Sequence, residues 1–199
     1  MSAYERNTTD SQTTRPVVGS MEPDRRLLSV LFVCHGNICR SPMAEFVMKD
    51  RLSKAGLAHL VDVESAATST EEIGNDMHPG AKQSLDRHGV AHYGRRARRI
   101  TAKDYDEFDL IVGMDEQNLA NLMRFYKNDP EHKVSLLLSW AGEGRGIADP
   151  WYTGDFDVTY EDVALGCDAL AEHIVGLFAK AHERAVKRKE AALAARSQG

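Results

Sequence analysis

Short apolar runs alternate with segments of helical periodicity from residue 27 onwards. Four of the runs predict buried strands, at residues 27–33, 61–66, 108–114 and 134–140. Helical periodicity predicts helices that begin at Ser41-Pro42, span 79–90 and 115–126, and begin again near Thr159. Strands and helices that alternate at this spacing are typical of a parallel sheet with helices on both faces. We therefore predict an α/β fold, a three-layer sandwich with a four-stranded parallel sheet flanked by helices.

Individual residues set the expected ends of these helices. Ser41 can cap the first helix, because its hydroxyl can accept from a free N–H group, and Pro42 suits the first turn. Gly89 is expected to end the second helix, and Asp115 to cap the third. A loop, 141–157, separates the fourth strand from the last helix. That helix is expected to bury four apolar residues, Val163, Leu170, Ile174 and Leu177.

The chain divides by composition into a body and two tails. Residues 1–26 are polar, lack periodicity and are predicted to be a disordered extension. Residues 180–199 carry six Lys/Arg against two Asp/Glu and are expected to form a basic tail, helical or disordered. The body, residues 27–179, carries 15 Lys/Arg against 24 Asp/Glu, a net charge of −9, and shows no internal repeat. We interpret the body as one catalytic domain.

Composition and charge exclude several classes of protein. No apolar stretch reaches the ~18–20 residues that cross a bilayer, and the polar start lacks the apolar core of a secretory signal. The acidic body does not suit nucleic acids, whose phosphates require basic surfaces. Three cysteines are too few for a disulfide scaffold, and they lack the nearby ligands of a metal site. The sequence therefore indicates a cytoplasmic protein, and with no sign of an obligate partner we expect a monomer.

A cysteine stands where the first predicted strand ends. In the segment VCHGNICRSP, residues 33–42, Cys34 follows the apolar run and precedes the first helix. A free thiol has a pKa of about 8.5 and is mostly protonated at pH 7. Free backbone N–H groups and the positive end of a helix macrodipole favour the anion. The position of Cys34 therefore predicts a reactive thiolate.

The residues after Cys34 can hold a tetrahedral oxyanion. Their N–H groups can converge on one anion, as in glycine-rich phosphate loops. Gly36 allows the turn, and Asn37 can adopt left-handed backbone angles and brace the loop. Arg40 can donate a bidentate pair to phosphate oxygens, and Ser41 can offer its hydroxyl to the cysteine sulfur. We therefore predict a phosphate-binding loop made of His35, Gly36, Asn37, Ile38, Cys39, Arg40 and Ser41.

The complete string, Cys-x-Gly-Asn-x-Cys-Arg-Ser-Pro between a strand and a helix, resembles the signature of the low-molecular-weight protein tyrosine phosphatases. Three further segments match positions of that family: SAAT at 65–68, LIVGMD at 110–115 and ADPWYTGDF at 148–156. The resemblance covers about residues 28–178 and leaves both tails outside. It implies a flavodoxin-like, phosphotyrosine phosphatase I fold, and hydrolysis of phosphotyrosyl protein substrates and aryl phosphates without a cofactor or metal.

The resemblance also implies roles for residues outside the loop. Asp149 matches the general acid of the family, which a phenolate needs because it leaves poorly without a proton. Pro150 favours an extended backbone at Asp149, which suits a carboxyl held over a cleft. Trp151 and Tyr152 match the aromatic residues that wall the pocket. The implied mechanism is attack of Cys34 on phosphorus with Arg40 stabilising the charge, protonation of the leaving oxygen by Asp149, and hydrolysis of the phosphocysteine by water.

Three features leave alternatives open. Cys39 is either a packed loop residue or, as the resemblance implies, the redox partner of Cys34 in a reversible disulfide. Glu71 and Glu72 stand near where many family members carry an aromatic residue at the cleft, so we place Glu71 in the substrate pocket and expect a more acidic or more open rim. The run of arginines at 95–99 is interpreted as a solvated strand edge, with a docking patch for acidic phosphopeptides as the alternative.

Other activities remain possible on the same fold. Phosphoarginine phosphatases resemble this chain but tend to carry Thr at the position of Ile38, whose bulk favours a flat phenyl ring. A thioredoxin-coupled arsenate reductase needs further cysteines, and beyond Cys39 the chain offers Cys167, predicted to be buried inside a helix. A phosphoserine preference would need a shallower pocket than Trp151 and Tyr152 suggest. From a different class, a phospho-ligand binding module that has lost catalysis is the alternative.

Overall fold

The computed structural model describes residues 27–196, and the side chains of residues 27–191. The predicted disordered extension, residues 1–26, lies outside the described residues. The strands are β1 (Leu28–Cys34), β2 (Val61–Ala67), β3 (Leu110–Gly113) and β4 (Val134–Leu136). The helices are α1 (Arg40–Lys54), α2 (Pro79–Arg87), α3 (Ala102–Glu107), α4 (Glu116–Phe125), α5 (Pro150–Thr153) and α6 (Phe156–Arg196).

The four strands form one parallel sheet in the order β2-β1-β3-β4. β1 pairs with β2 on one side, with Cys34 opposite Ala67, and with β3 on the other. Parallel pairing places the carboxyl ends of all strands at one edge, where loops converge. The end of β1, and with it Cys34, therefore lies in the middle of that edge.

Alternate residues of β1 face opposite layers of helices, as the two-residue period of a strand requires. Val30 and Phe32 pack into a cluster with residues of α1, α2 and α6. Leu31 and Val33 pack on the other face, with residues of α3 and α4. All four side chains are fully buried, which stabilises the fold by about 1.5–3 kcal/mol for each. The predicted three-layer α/β sandwich is confirmed.

The fourth strand is shorter than predicted, because only Val134–Leu136 pairs with β3. The apolar run continues into a 3-10 helix, Leu138–Ala141. Leu137 and Leu138 are both buried, in the cluster that also contains Val163 and Leu170 of α6. The run therefore turns under α6 after three strand residues, and the prediction of a strand to residue 140 is wrong.

The long loop before the last helix contains a helix of its own, α5. α6 begins at Phe156, earlier than predicted, with the Asp155 carboxylate accepting from the N–H of Val158 at 3.0 Å. Val163, Leu170 and Ile174 are buried as expected, but Leu177 is 47% exposed. Phe178, four residues after Ile174, takes the inward position instead and packs against the core, so Leu177 faces away from it.

Two helix starts differ from the sequence prediction. α1 begins at Arg40 with Cys39 at the N-cap, so Ser41 lies inside the helix and does not cap it. Its hydroxyl faces the Cys34 sulfur instead. α3 was not predicted: it is a six-residue helix that starts with a capping box between Thr101 and Asp104.

Within residues 27–196, no helix is both long enough and apolar enough to cross a membrane.

Candidate active site

The Cys34 sulfur lies at the end of β1, at the start of the loop that leads into α1. The residue is 3% exposed. The backbone N–H of Asn37 donates to its sulfur at 3.3 Å, and the hydroxyl oxygen of Ser41 lies 3.0 Å from it. The Asn37 N–H therefore donates to the sulfur, and the Ser41 hydroxyl is close enough to do so.

A pocket with a volume of about 100 Å³ opens above this loop. It is lined by Cys34, His35, Gly36, Ile38, Cys39, Arg40, Glu71, Glu72, Asp149, Trp151 and Tyr152. The structure thus brings together most of the site residues predicted from the sequence, from three separate segments of the chain. Asn37 and Ser41 do not line the pocket: both are fully buried behind the loop.

Asn37 is the brace of the loop, and it has the left-handed backbone expected for it, with φ of 59°. Its side-chain amide donates to the hydroxyl oxygens of Ser41 and Ser65, both at 2.9 Å. Because Ser41 accepts this hydrogen bond, its own proton can be donated either to the Cys34 sulfur at 3.0 Å or to the Ala66 carbonyl at 3.4 Å, and the sulfur is the nearer acceptor. Gly36 has no positive φ; a Cβ there would lie 3.1 Å from Glu72 Cγ, so close packing is what its small size allows.

Arg95 holds the same loop from the other side, and the sequence did not reveal this. Its guanidinium donates to the Asn37 carbonyl and to the Asn37 side-chain oxygen, both at 2.8 Å. The Arg95 side chain is only 10% exposed, and its Nε lies 3.6 Å from Glu45. Burial lowers the pKa of Arg95, although the nearby Glu45 carboxylate opposes the shift. Arg95 therefore does not belong to a solvated strand edge.

Glu45 joins the brace to the first helix. Its carboxylate accepts from the Ser65 hydroxyl at 2.6 Å and from the Lys49 ammonium at 2.6 Å. Burial alone would lower the pKa of Lys49, but the Glu45 carboxylate outweighs it and raises that pKa. The chain Lys49, Glu45, Ser65 and Asn37 is thus fully hydrogen-bonded, which is what makes a buried polar network rigid.

Arg40 is 2% exposed and points into the pocket. One terminal nitrogen donates to the Asp115 carboxylate and, at 3.0 Å, to the Ile147 carbonyl; the other donates to the Asp149 carboxylate. Burial alone would lower the pKa of Arg40, but the charges of Cys34, Asp149 and Asp115 raise it. Among the described residues, the Arg40 Nε has no hydrogen-bond partner, so a buried donor is available for an anion.

Asp149 and the aromatic residues after it form the far wall of the pocket. The Asp149 backbone is extended, with ψ of 115°, and its side chain caps α5 by accepting from the Trp151 N–H at 3.1 Å. Trp151 is 58% exposed and Tyr152 84% exposed, so this wall is open to solvent rather than deep. On the opposite rim, the Glu71 carboxylate lies 3.0 Å from Nε2 of His35.

Cys39 lies in the pocket wall but differs chemically from Cys34. It is 4% exposed and packs with Ile38 and Ala97. Burial, followed by the negative charge of Cys34, raises the pKa of the Cys39 thiol to about 12. Cys39 is therefore a protonated thiol at neutral pH.

Sequence reasoning missed the residues that position the site. Asp115 was predicted to be a helix cap, which it is, since it accepts from the Asn118 N–H at 2.6 Å; its other oxygen holds Arg40. The sequence could have indicated this second role, because Asp115 directly follows a strand and so lies at the carboxyl edge of the sheet, where active sites form. Arg95, Glu45 and Ser65 gave no such signal, because their partners lie 20 or more residues away in the chain.

Comparison with known proteins agrees with this geometry. The sequence model of the family described as low molecular weight phosphotyrosine protein phosphatase matches residues 29–190. The low molecular weight protein-tyrosine-phosphatase YfkJ of Bacillus subtilis (strain 168) is 38% identical over 150 residues, which cover 74% of this chain and 96% of YfkJ.

Solved structures show the same fold. The crystal structure of YfkJ from Bacillus subtilis matches with a TM-score of 0.72 at 36% identity, over 74% of this chain and 94% of YfkJ. The Drosophila arginine phosphatase DARP matches with a TM-score of 0.67 at 31% identity, over 73% of this chain and 96% of that one.

Proposed function

The chain belongs to the low molecular weight phosphotyrosine protein phosphatase family, and from that premise we propose that it hydrolyses phosphotyrosine in proteins, and aryl phosphates, through a phosphocysteine intermediate on Cys34. The observation that carries the proposal is the position of the Cys34 sulfur below a pocket into which Arg40 presents an unpartnered buried donor. We also propose a cytoplasmic location, because three cysteines are too few for the disulfide scaffold of a secreted protein, and a monomer, because the sequence gives no sign of an obligate partner.

Substrate binding begins with an exchange of partners at Arg40. Its guanidinium is held by the carboxylates of Asp115 and Asp149. A phosphate dianion competes with Asp149 for the same donors, and its charge repels that carboxylate. Asp115 keeps its hold, because it approaches from the edge of the sheet, and Arg40 stays aimed at the phosphate. Asp149 is thereby released to face the leaving group, where it takes up a proton from solvent.

In the first chemical step, the Cys34 thiolate attacks phosphorus in line with the ester oxygen. The S–P bond forms as the P–O bond to the phenol breaks, and Asp149 in its protonated form gives its proton to the departing oxygen. Arg40 and the backbone N–H groups of residues 35–40 hold the three equatorial oxygens, whose charge they stabilise in the transition state.

In the second step, water hydrolyses the phosphocysteine. Asp149, now a carboxylate, accepts a proton from the attacking water while the new P–O bond forms. The S–P bond breaks, the electron pair returns to sulfur, and inorganic phosphate leaves. The Asn37 N–H and the Ser41 hydroxyl lie against the sulfur and stabilise it as the leaving thiolate.

Phosphoarginine is the second candidate substrate, favoured by two observations. The Drosophila arginine phosphatase shares the fold, and the carboxylates of Glu71 and Glu72 on the rim suit a cationic guanidinium. Ile38 opposes this candidate, because it lines the pocket with a branched apolar side chain that packs well against a phenyl ring. An arsenate reductase is disfavoured: Cys167 is fully buried in α6, where its thiol donates to the Ala44 carbonyl at 3.6 Å.

One set of assays tests the proposal. Hydrolysis of p-nitrophenyl phosphate, a phosphotyrosyl peptide and phosphoarginine is measured for the wild type, Cys34→Ser and Asp149→Asn. We expect Cys34→Ser to lose at least about a thousandfold in kcat. Asp149→Asn should lose about 10²–10⁴-fold with the phosphotyrosyl peptide, and less with p-nitrophenyl phosphate, whose leaving group needs a proton less. Rapid quenching of the wild type should trap phosphate on Cys34.

The control is Asp155→Asn, which alters another helix cap of the same segment outside the pocket and should keep its activity. Full activity of Cys34→Ser contradicts the covalent mechanism. An equal loss with both aryl substrates in Asp149→Asn removes Asp149 as the acid. Faster turnover of phosphoarginine than of the phosphotyrosyl peptide assigns the second candidate instead.

A further inference from the structure

A groove beside the catalytic pocket presents positive charge on an otherwise acidic protein. Its lining includes His35, Thr68, Arg99, Arg124 and Phe125. His35 also lines the catalytic pocket, so the two depressions lie side by side and share this residue. We refer to this depression as the Arg99–Arg124 groove.

We propose that the Arg99–Arg124 groove binds an Asp or Glu side chain of the protein substrate, close in sequence to the phosphotyrosine. The inference rests on the proposed function, and it adds a sequence preference to it. Arginine recognises carboxylates through parallel N–H···O hydrogen bonds, and two arginines around one groove suit one or two such groups.

The pairing of arginines across the molecule supports this assignment. Residues 27–179 contain nine arginines, and six of them form ion pairs with Asp or Glu: Arg40, Arg51, Arg87, Arg95, Arg98 and Arg145. Three arginines in this range have no acidic partner among the described residues, and two of those, Arg99 and Arg124, meet in the groove. In a body with a net charge of −9, most arginines pair with an acidic residue, so two unpaired arginines that line one groove are unusual.

The groove is also held in shape before anything binds. The Arg99 guanidinium lies over the Phe125 ring, 5.7 Å from its centroid, which restrains the long side chain. Phe125 is 38% exposed and offers an apolar floor for the methylene groups of an acidic residue. The Thr68 hydroxyl is buried without a hydrogen-bond partner in the described part of the chain, so it can join a bound carboxylate.

The distance to the catalytic cysteine fits a neighbouring residue of the same peptide. Cys34 lies opposite Ala67 in the sheet, and Ala67 forms a β-bridge with Arg99. Adjacent strands are about 4.8 Å apart, so the Arg99 backbone lies roughly 10 Å from that of Cys34. An extended peptide advances about 3.3 Å per residue, so an acid within about three residues of the phosphotyrosine reaches the groove.

Among the described residues, the catalytic pocket has the basic Arg99–Arg124 groove beside it and acidic residues in its own lining. Glu71 and Glu72 line the pocket itself, and Glu71 is engaged with His35 at the boundary. A carboxylate placed against Glu72 is repelled, whereas one placed in the Arg99–Arg124 groove is attracted. The preference should therefore depend on whether the acids stand before or after the phosphotyrosine.

The test compares kcat/KM for three phosphotyrosyl peptides: neutral flanks, acids on the amino-terminal side, and acids on the carboxyl-terminal side. The wild type is measured beside Arg99→Gln, Arg124→Gln and the double variant. We expect one acidic peptide to be preferred over the neutral one, mainly through KM. Each substitution should reduce that ratio about two- to fivefold, the worth of an exposed ion pair, and the double variant should bring it close to one. In the wild type, salt at about 0.5 M should also bring the ratio close to one, because it screens exposed charges.

Arg96→Gln is the matched control, because Arg96 is exposed, lacks an acidic partner among the described residues and donates to the Gly74 carbonyl outside the groove. Its peptide preference should equal that of the wild type. A wild type that prefers neither acidic peptide, or a double variant that keeps the preference, overturns the proposal. If no phosphate ester is hydrolysed, the proposed function fails. Binding of the three peptides to Cys34→Ser is then measured by calorimetry, and the ratio of their affinities tests the groove in place of the ratio of kcat/KM.

Discussion

At the scale of single residues, the two cysteines of the loop have opposite chemistry. Cys34 has hydrogen-bond donors at its sulfur, whereas Cys39, with a pKa raised to about 12 chiefly by burial, holds its proton. For a disulfide to form after oxidation of Cys34 to a sulfenic acid, the Cys39 thiolate must attack the Cys34 sulfur and expel hydroxide. The step is limited by the small fraction of Cys39 that is ionised.

We therefore predict a steep pH dependence for disulfide formation. Oxidation removes the charge of Cys34, but burial, the larger cause of the raised pKa of Cys39, remains, so the Cys39 thiol stays mostly protonated and its thiolate fraction rises tenfold per pH unit. Closure after peroxide treatment should therefore accelerate about tenfold per unit between about pH 7 and pH 9. The measurement is trapping of the Cys34 sulfenic acid against disulfide by mass spectrometry over time. Cys39→Ser should accumulate the sulfenic acid at every pH. A closure rate that does not change over this range contradicts the prediction.

The sequence identified the residues that line the pocket better than the residues that hold them in place. Cys34, Arg40 and Asp149 stand in local strings whose chemistry can be recognised without the fold. Arg95 could not be recognised, because an arginine beside three others in sequence is usually solvated, and only the fold brings it to the Asn37 carbonyl. Long-range partners of this kind depend on tertiary packing, which no local pattern encodes.

At the scale of elements, the contact between α6 and the 3-10 helix depends on a glycine. A Cβ at Gly166 would lie 2.6 Å from Leu137 Cγ, within a side chain that is fully buried. The same helix contains Gly176, where a Cβ would have nothing within 4 Å. One helix thus offers both a glycine required by packing and a glycine that is not.

Alanine at these two glycines should change stability in opposite directions. We expect Gly166→Ala to lower the free energy of unfolding by about 1–3 kcal/mol, since overpacking outweighs the gain in helix propensity. Gly176→Ala should raise it by about 0.5–1 kcal/mol, from helix propensity alone. Urea denaturation of both variants and the wild type is the measurement. Stabilisation by Gly166→Ala would show that α6 can move away from Leu137 at little cost.

The sequence predicted the interior strands and the helices better than the edge strand β4. The interior strands β1 and β3 were found because they are apolar on both faces, and their helices because of their period. The predicted β4 was too long, because an apolar run at the edge of a sheet has the same sequence pattern whether it continues as a strand or turns under a helix. The close packing of Leu137 against Gly166 decides where the strand ends, and this packing is a tertiary feature.

At the scale of the whole molecule, α6 extends beyond the body that it helps to build. Ile174 is its last fully buried side chain, and residues 179–191 are all exposed. Lys187 and Glu183 form an ion pair within this extension, 2.6 Å apart and on one helix face. Exposed pairs of this kind contribute little to stability.

Removal of residues 180–199 should therefore leave the fold intact. We expect the free energy of unfolding to change by less than about 0.5 kcal/mol, the usual range for surface changes. The net charge should change from −5 to −9, because the segment carries six Lys/Arg against two Asp/Glu. Chemical denaturation and kcat/KM with p-nitrophenyl phosphate measure both expectations. A loss above about 1 kcal/mol would reveal a contact of the extension with the body.

The central place of β1 in the sheet separates reactivity from selectivity in this protein. Cys34, the proposed nucleophile, ends a strand with neighbours on both sides, so the packing of the sheet fixes the position of its backbone. The residues that would meet the rest of a substrate, Glu72, Trp151 and Arg124 among them, belong to different loops and helices at the surface. Natural variation or engineering can therefore retune which phosphoproteins are accepted, one rim segment at a time, without disturbing the chemistry beneath.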